Sequence, residues 1–316
     1  MECRGLLAPD VFEEDGMDSS VSSSLAIDAF AVRLSDIGAV DLDQLHALSI
    51  GVGWPHRAED WQLLRNVGHG IAASDEIGRV LGSAMWFPHG SGFATIGMVI
   101  TSPRLQSLGA GELLMRRVLE QQQGRELRLN ATRAARRLYL SLDFRPERTV
   151  FQCQGEARVP RQTHVVPPGA ELRRLEQADL AAIVALDAQA FGVPRRVLLD
   201  ALVQESVGFG LFRGGRLNAF ALCRRFGRGH VVGPVAASCD EDAIAVVAPH
   251  VSDREGRFLR LDTQLREGQF GTFLSQSGLR VFDTVLTMSL GRQSADPGSR
   301  SSGQPVTYAL ASHALG

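Results

Sequence analysis

The sequence predicts an α/β chain of two tandem domains, each built on a mixed, mostly antiparallel sheet with helices on both faces. Three observations carry this reading. The chain has 316 residues, more than one average domain needs. Its two halves echo each other, segment after segment. In the first half, apolar strand-like segments joined by short glycine-bearing turns give way to strand–helix–strand units. The turns favour antiparallel hairpins, and the later units favour parallel packing.

Taken in order, residues 1–28 are rich in Ser, Asp and Glu and lack periodicity, so disorder is expected there, with Met17 as an alternative initiator. The first domain is expected over 29–155. Its spacing predicts a strand at 31–37, helices at 41–49 and 58–66, and strands near 69–74, 79–87 and 93–101. A helix at 109–123, a strand at 126–132, a helix at 134–142 and a strand at 147–154 complete it. The stretch "GEARVPRQTHVVPPG" suits an exposed linker, set at 156–168. A second domain follows over 169–291. From Gly291 the polar run "GRQSADPGSRSSGQP" predicts a flexible tail, set at 292–316.

The repeat rests on four matches in the same order. "AVRLSDIGAVDLDQL" pairs with "ELRRLEQADLAAIVAL", and "GRVLGSAMWF" with "GRLNAFALCRRF". "ATIGMVITS" pairs with "HVVGPVAAS", and "ELRLNATRAARRLYLSLDF" with "FLRLDTQLREGQFGTFLSQSGL".

Composition narrows the function classes. A hydrophobic content of 44% and a charged content of 22% suit a soluble globular protein. A net charge of -2 argues against a general binder of nucleic acid or membrane surfaces. No apolar run is long enough to span a bilayer, and the first residues lack a signal-peptide pattern, so a cytoplasmic location is expected. The four cysteines, Cys3, Cys153, Cys223 and Cys239, form no C-x-x-C pair; they read as free thiols, mostly buried, and no metal is expected. The chain contains no lysine, which excludes Schiff-base chemistry on a side-chain amine.

The chemistry-bearing stretch is "TSPRLQSLGAG". It follows the apolar strand "FATIGMVI" and opens the amphipathic helix "ELLMRRVLEQQQ". At such a helix start, unpaired backbone N–H groups converge and the dipole favours negative charge. Glycine lets a ligand approach the backbone closely. A pyrophosphate would suit the turn, and a tight connection without ligand is the plainer alternative.

With this order of elements, the pattern P-x-x-Q-x-x-G-x-G at Pro103, Gln106, Gly109 and Gly111 resembles the GNAT superfamily of acetyl-CoA-dependent N-acetyltransferases. The helix "RRLYLSLDF" resembles that superfamily's L-Y-x-x-x-G-F signature at Leu138, Tyr139 and Phe144. Asp143 stands where glycine is usual, so a strained turn is expected there. The resemblance covers about residues 30–155, and the second half looks like a degenerate copy of the same fold. It implies a pyrophosphate held by Gln106, Ser107, Leu108, Gly109, Ala110 and Gly111. It also implies a splayed strand offering Met98, Val99 and Ile100 to the acyl-pantetheine arm, and Tyr139 as proton donor to the leaving sulfur. A neutral phenol, whose ordinary pKa of about 10 lies above that of a thiol, can serve as that donor. The implied reaction is transfer of an acetyl group to a primary amine of a small molecule.

The general base stays open. "FATIGMVIT" holds no carboxylate. Of the nearby groups, His89 lies in a hairpin turn, as a solvated surface histidine would, and Glu59 and Asp60 begin a helix, where acids are favoured in any case. Glu112 is expected to face away from the phosphate site. Among Trp54, Trp61 and Trp86, Trp54 in "GVGWPHR" is the choice for the acceptor wall. In the second half, "CDEDAIAVVAPHV" has no glycine at the helix start, and Asp240, Glu241 and Asp242 would repel a pyrophosphate. Leu274, or Phe273 with a one-residue shift, stands opposite Tyr139. One acetyl-CoA site per chain is therefore expected, with the second half helping to enclose the acceptor. Two rivals are a catalytically silent sensor of acetyl-CoA or a metabolite, and a plain nucleotide-binding α/β domain. The latter is disfavoured because its fingerprint follows the first strand.

Overall fold

A computed structural model describes residues 23–27, 30–106, 108–161, 166–291 and 303–316. The first half runs β1 (Ser23–Ile27), β2 (Phe30–Asp36), α1 (Leu42–Gly51), α2 (Ala58–Val67), β3 (His69–Ser74), β4 (Val80–His89) and β5 (Phe93–Thr101). It continues through α3 (Ala110–Gln121), β6 (Glu126–Ala131), α4 (Arg136–Ser141) and β7 (Arg145–Glu156). The second half repeats the order: β8 (Glu171–Arg174), α5 (Leu180–Phe191), α6 (Arg196–Glu205), β9 (Val207–Arg213), β10 (Arg216–Phe226), β11 (Gly229–Ala237), α7 (Asp240–Ser252), β12 (Phe258–Thr263), α8 (Gly268–Gln276) and β13 (Arg280–Leu290). A last strand, β14 (Val306–Ala309), follows.

Local chemistry explains the boundaries. Asp41 caps α1 by accepting from the Asp43 N–H at 2.9 Å. Asp60 turns back at the start of α2 to accept from the Arg57 N–H at 2.8 Å. The β3–β4 hairpin is closed by Asp75, whose Oδ1 accepts from the Arg79 N–H at 2.9 Å, and by Gly78 at φ +81°.

The sheets of the two halves are not separate. All the strands among the described residues belong to one 14-stranded sheet, in the order β1-β2-β3-β4-β5-β6-β13-β7-β12-β11-β10-β9-β8, with β14 paired to β11. Each half lends the strand that follows its final helix, β7 or β13, to the other. β13 runs antiparallel to β6, from Leu286↔Ala131 to Leu290↔Leu127. β7 runs antiparallel to β12, from Phe258↔Glu156 to Thr263↔Phe151. The two exchanged strands pair with each other at the centre. The parallel packing expected of the late strand–helix–strand units therefore holds for β5 and β6 but not for β6 and β7, which β13 separates. The boundary at 155–169 divides the sequence; the sheet runs across it.

Helices cover both faces. On β4, Met85 and Phe87 join one buried cluster with Leu45, Trp61 and, from the second half, Leu199 and Phe220. Their neighbours Ala84 and Trp86 join a second cluster with Leu114, Val118 and Tyr139 of α3 and α4. The first cluster unites the two halves on one face of the sheet.

Two loose ends are more ordered than expected. Residues 23–27, inside the segment assigned to disorder, form β1 against β2. Residues 303–316, assigned to a flexible tail, contain β14, with Tyr308, Ala309, Leu310, Ala311 and Leu315 buried. The polar run ends at Pro305, and "VTYAL" beyond it is apolar and strand-like. Among the described residues, no helix is long and apolar enough to cross a membrane, and no cluster of His, Cys, Asp or Glu could hold a metal ion.

Candidate active site

The site begins at a fork in the sheet. β5 and β6 run parallel only from Phe93↔Glu126 to Ile96↔Leu129, and then part. At the parting point β5 bulges against β4: its register slips between Ser83 and Met85, and Met98 takes φ +51°. The bulge switches faces, so that Ala94 and Ile96 look toward α3 and α4 while Met98 and Ile100 join the α1–α2 side. A cavity of about 680 Å³ opens at the fork. Its walls include Trp54, Gly97, Met98, Val99, Asn130 and Tyr139.

Thus the structure brings Trp54, Met98, Val99 and Tyr139 to one space. Ile100 is buried in the core below it. Gln106, Leu108, Gly109, Ala110 and Gly111 form the turn entering α3, outside the cavity wall; Ser107 lies outside the described residues. Gly109 is the N-cap of α3 at φ +81°, no side chain among the described residues caps the helix, and a Cβ at Gly109 would meet nothing within 4 Å. The turn therefore presents an open, uncapped helix start. Gln106 bonds back to the Thr101 carbonyl at 3.2 Å. Glu112 pairs with Arg116 at 2.7 Å along the helix.

Tyr139 is 5% exposed, and burial pushes its phenol well above the ordinary range, so it stays neutral. The turn after α4 is closed by the Phe144 N–H donating to the Tyr139 carbonyl at 3.0 Å, with Asp143 at φ +63°, the expected strain. Of the other tryptophans, Trp61 is core and donates to Ser49 Oγ at 2.9 Å, and Trp86 packs in the α3–α4 cluster.

The residues weighed as a base do not fill that role. His89 is not a solvated surface group. It is 7% exposed, stacks on Phe93 with ring centroids 5.9 Å apart, and faces Phe191 of the second half. Burial, with the Arg195 charge adding to it, pushes its pKa down to about 3. Asp60 is a structural acid: it pairs with Arg57 at 2.7 Å and accepts from the Gly227 N–H at 3.0 Å, tying the halves together. Glu59 is 75% exposed.

Two family comparisons match in succession along the chain. Residues 42–144 match the model described as Acetyltransferase (GNAT) family, and residues 183–300 match that described as Acetyltransferase (GNAT) domain. The chain belongs to the GNAT acetyltransferase family. Both halves are GNAT domains. Among solved structures, a candidate acetyltransferase from Pyrococcus horikoshii superposes at a TM-score of 0.70 with 16% identity, covering 97% of this chain and 99% of that one. A tandem GNAT protein from the clavulanic acid biosynthesis pathway gives 0.57 at 13% identity, covering 84% and 100%. A GCN5-related N-acetyltransferase from Sphaerobacter thermophilus gives 0.57 at 16% identity, covering 81% and 95%. At these identities the likeness speaks for the fold. A search of curated proteins finds no match.

The second GNAT domain has the same fork, but its own chain fills it. β11 and β12 run parallel only at His230↔Leu259 and Val231↔Arg260. Beyond that, β14 pairs with β11 at Val235↔Ala309, Ala236↔Thr307 and Ala237↔Val306, and the Leu310 N–H donates to the Asp262 carbonyl at 2.8 Å. At the start of α7, Asp240 accepts from the Tyr308 hydroxyl at 2.8 Å and the Phe270 N–H at 3.0 Å, and Asp242 pairs with Arg213 at 2.6 Å. The Leu279 N–H donates to the Leu274 carbonyl at 2.9 Å, repeating the Phe144–Tyr139 bond, which aligns Leu274 with Tyr139.

The second GNAT domain also reaches into the first one's cavity with Phe226, Arg228, Arg260 and Phe282. Sequence reasoning missed these, and missed the segment after β14. Ser312, His313 and Ala314 line the cavity, and a Cβ at Gly97 would sit 2.5 Å from that of Ala314. Buried arginines hold this segment: Arg224 donates to the Ala311 carbonyl at 3.0 Å, and Arg195 to the oxygens of Leu315 at 3.1 Å and Gly316 at 2.9 Å.

Proposed function

We propose that this chain transfers an acetyl group from acetyl-CoA to a primary amine of a small molecule held in the cavity between its two domains. The observation that carries the reading is the joint opening of the β5–β6 fork and of Tyr139 onto that one cavity. The residues fit the cosubstrate. The uncapped start of α3, with its open Gly109, suits a pyrophosphate, and the backbone of Met98, Val99 and Ile100 suits the acyl-pantetheine arm. Acetyl-CoA supplies an activated acetyl thioester. Tyr139, kept neutral by burial, gives a proton to the leaving sulfur. Trp54, with Phe226 from the second domain, forms an apolar wall for the body of the amine. Neither a metal nor a nucleic-acid or membrane partner enters the reading. With β14 in its fork, the second domain is a scaffold, which supports one acetyl-CoA per chain.

A free-thiol assay against a panel of amines, with calorimetry for acetyl-CoA beside it, tests this. Thiol release that depends on a particular amine supports transfer. Acetyl-CoA binding without release from any amine would mean a sensor instead.

A further inference from the structure

We propose that the acceptor amine carries an anionic group, a carboxylate or a phosphate, well removed from its nitrogen, and that Arg228 of the second domain seats that group. This rests on the acetyl-transfer reading and names the class of amine that the cavity takes.

The cavity wall from the second domain is built on two rings, Phe226 and Phe258, and cations lie against both. The Arg228 guanidinium is 5.1 Å from the centre of the Phe258 ring. Arg260 and Arg224 are 5.4 and 5.7 Å from the centre of the Phe226 ring. Stacking on an aromatic face steadies a guanidinium and leaves its N–H edge able to donate.

Counter-charge is short at this wall. Arg260 is matched: its Nε and Nη2 donate to Asp262 at 2.9 and 2.8 Å. Its Nη2 also lies 3.3 Å from His313 Nε2, which can only be the acceptor there, so that ring is neutral and adds no negative charge. Arg224 and Arg228 make no ion pair among the described residues. Arg224 is 4% exposed and donates to the Ala311 carbonyl at 3.0 Å. Burial lowers its pKa to about 10, which leaves it charged at neutral pH. Asp283 is the acid among the cavity-lining residues. It stands on β13, with β7 and β12 between it and the strand that Arg228 precedes, and it pairs with neither arginine. An unpaired buried cation beside an unpaired exposed one, in a cleft with apolar walls, gives this end of the cavity a positive potential that favours anions.

Arg228 is the cation free to bond. It is exposed in the turn between β10 and β11, and it makes no hydrogen bond among the described residues. That turn is fixed by the Gly227 N–H, which donates to Asp60 at 3.0 Å. A guanidinium so placed can give two parallel bonds to a carboxylate or a phosphate. The strand order sets the span. The reacting fork is at β6, and β13, β7 and β12 separate β6 from β11. Four steps at the usual strand spacing are about 19 Å, which an arginine side chain covers only in part. The anion must therefore be held away from the nitrogen by a body that lies along Trp54 and Phe226. An α-amino acid, with one carbon between the two groups, is too short.

Kinetics on the full chain test this with three matched para-substituted amines: aminomethylbenzoate, its amide and aminomethylphenyl phosphate. Thiol release should give a KM at least about tenfold lower for the benzoate or the phosphate than for the amide, the worth of a charge-assisted hydrogen bond. The benzoate leading identifies a carboxylate seat, and the phosphate leading a phosphate seat. Arg228→Gln should bring the anionic and neutral KM values within about threefold of each other. Arg228→Glu should turn the preference toward the corresponding diamine, aminomethylbenzylamine, which a merely structural role would not produce. Calorimetry should find acetyl-CoA affinity unchanged in both variants, which separates this seat from the phosphates of the cosubstrate. Equal KM values for amide and anions in the wild type overturn the proposal and leave acetyl transfer standing. So does a preference that survives Arg228→Gln, or a loss of acetyl-CoA affinity in its place. A wild-type chain that releases thiol with no amine overturns the transfer reading, and the acceptor class with it.

Discussion

Arg195 is the most informative residue to remove. It is 1% exposed, and its guanidinium pairs with Asp187 through bonds of 2.9 and 2.7 Å. It lies 3.7 Å from the centroid of the Phe191 ring and donates to Leu315 and Gly316. Arg195→Met fills much of the space but leaves the Asp187 carboxylate, itself 1% exposed, buried without its partner. Breaking a buried pair in this way costs about 3–5 kcal/mol. Arg195→Met combined with Asp187→Leu removes both charges, and replacement of a buried pair by apolar side chains is often close to neutral. The double variant should therefore recover most of the lost stability. It should still raise KM for the amine, because Leu315 and Gly316 lose their donor and the segment carrying His313 loosens. Urea unfolding of the two variants, with amine kinetics on the double variant, measures both effects. A loss below about 1 kcal/mol in Arg195→Met would refute the argument from an uncompensated buried charge. An unchanged amine KM in the double variant would refute the role of the clamp.

Other outcomes follow from the same structure. Gly109→Asp, which adds a carboxylate at an open helix start, should weaken acetyl-CoA binding strongly with the fold retained; unchanged affinity by calorimetry would reject the pyrophosphate assignment. Tyr139→Phe keeps the ring and loses the proton, so kcat should fall about a hundredfold with acetyl-CoA affinity intact, and a fall under about threefold would return Tyr139 to packing. Acetyl-CoA titration of the full chain should saturate near one molecule per chain; two would mean that β14 yields its place. His89 and His250 have pKa values pushed down to about 3, so the unfolded chain takes up protons first as pH falls below about 6.5, and stability is lost from there downward. Between pH 7.5 and 5.5 that loss should be roughly 1 kcal/mol for each of the two, and equal urea midpoints at both values would contradict it.

Much of the first half was legible because its signals are local. Hairpin glycines, the glycine turn before α3 and the apolar strand-like segments between the hairpin turns each act within a few residues. The strain at Asp143 could be read off because the family pattern puts glycine there. What escaped depends on distant partners. His89 looks like a turn residue until Phe191 and the Arg195 charge arrive from the other half. His313 sits beyond a polar run that reads as a tail, and nothing near it names Asn130 or Asp262 as neighbours. The exchange of β7 and β13 leaves no local trace either. Both are strands of the same pattern, and either could complete either sheet.

That exchange has a consequence for how the protein can be made and divided. During synthesis the first half emerges with the β6 edge from Leu127 to Ala131 bare, because its partner β13 is still to be translated. β7 likewise waits for β12. The first half cannot finish its sheet on the ribosome before nearly the whole chain has left it, so the nascent chain passes through a stage with an open edge that a chaperone or a second nascent chain could occupy. A gene cut at the linker would encode two pieces, each missing its closing strand and each carrying one that belongs to the other. Mixed together, such pieces could restore the sheet by trading those strands, which makes the chain a covalently joined dimer in all but its linker.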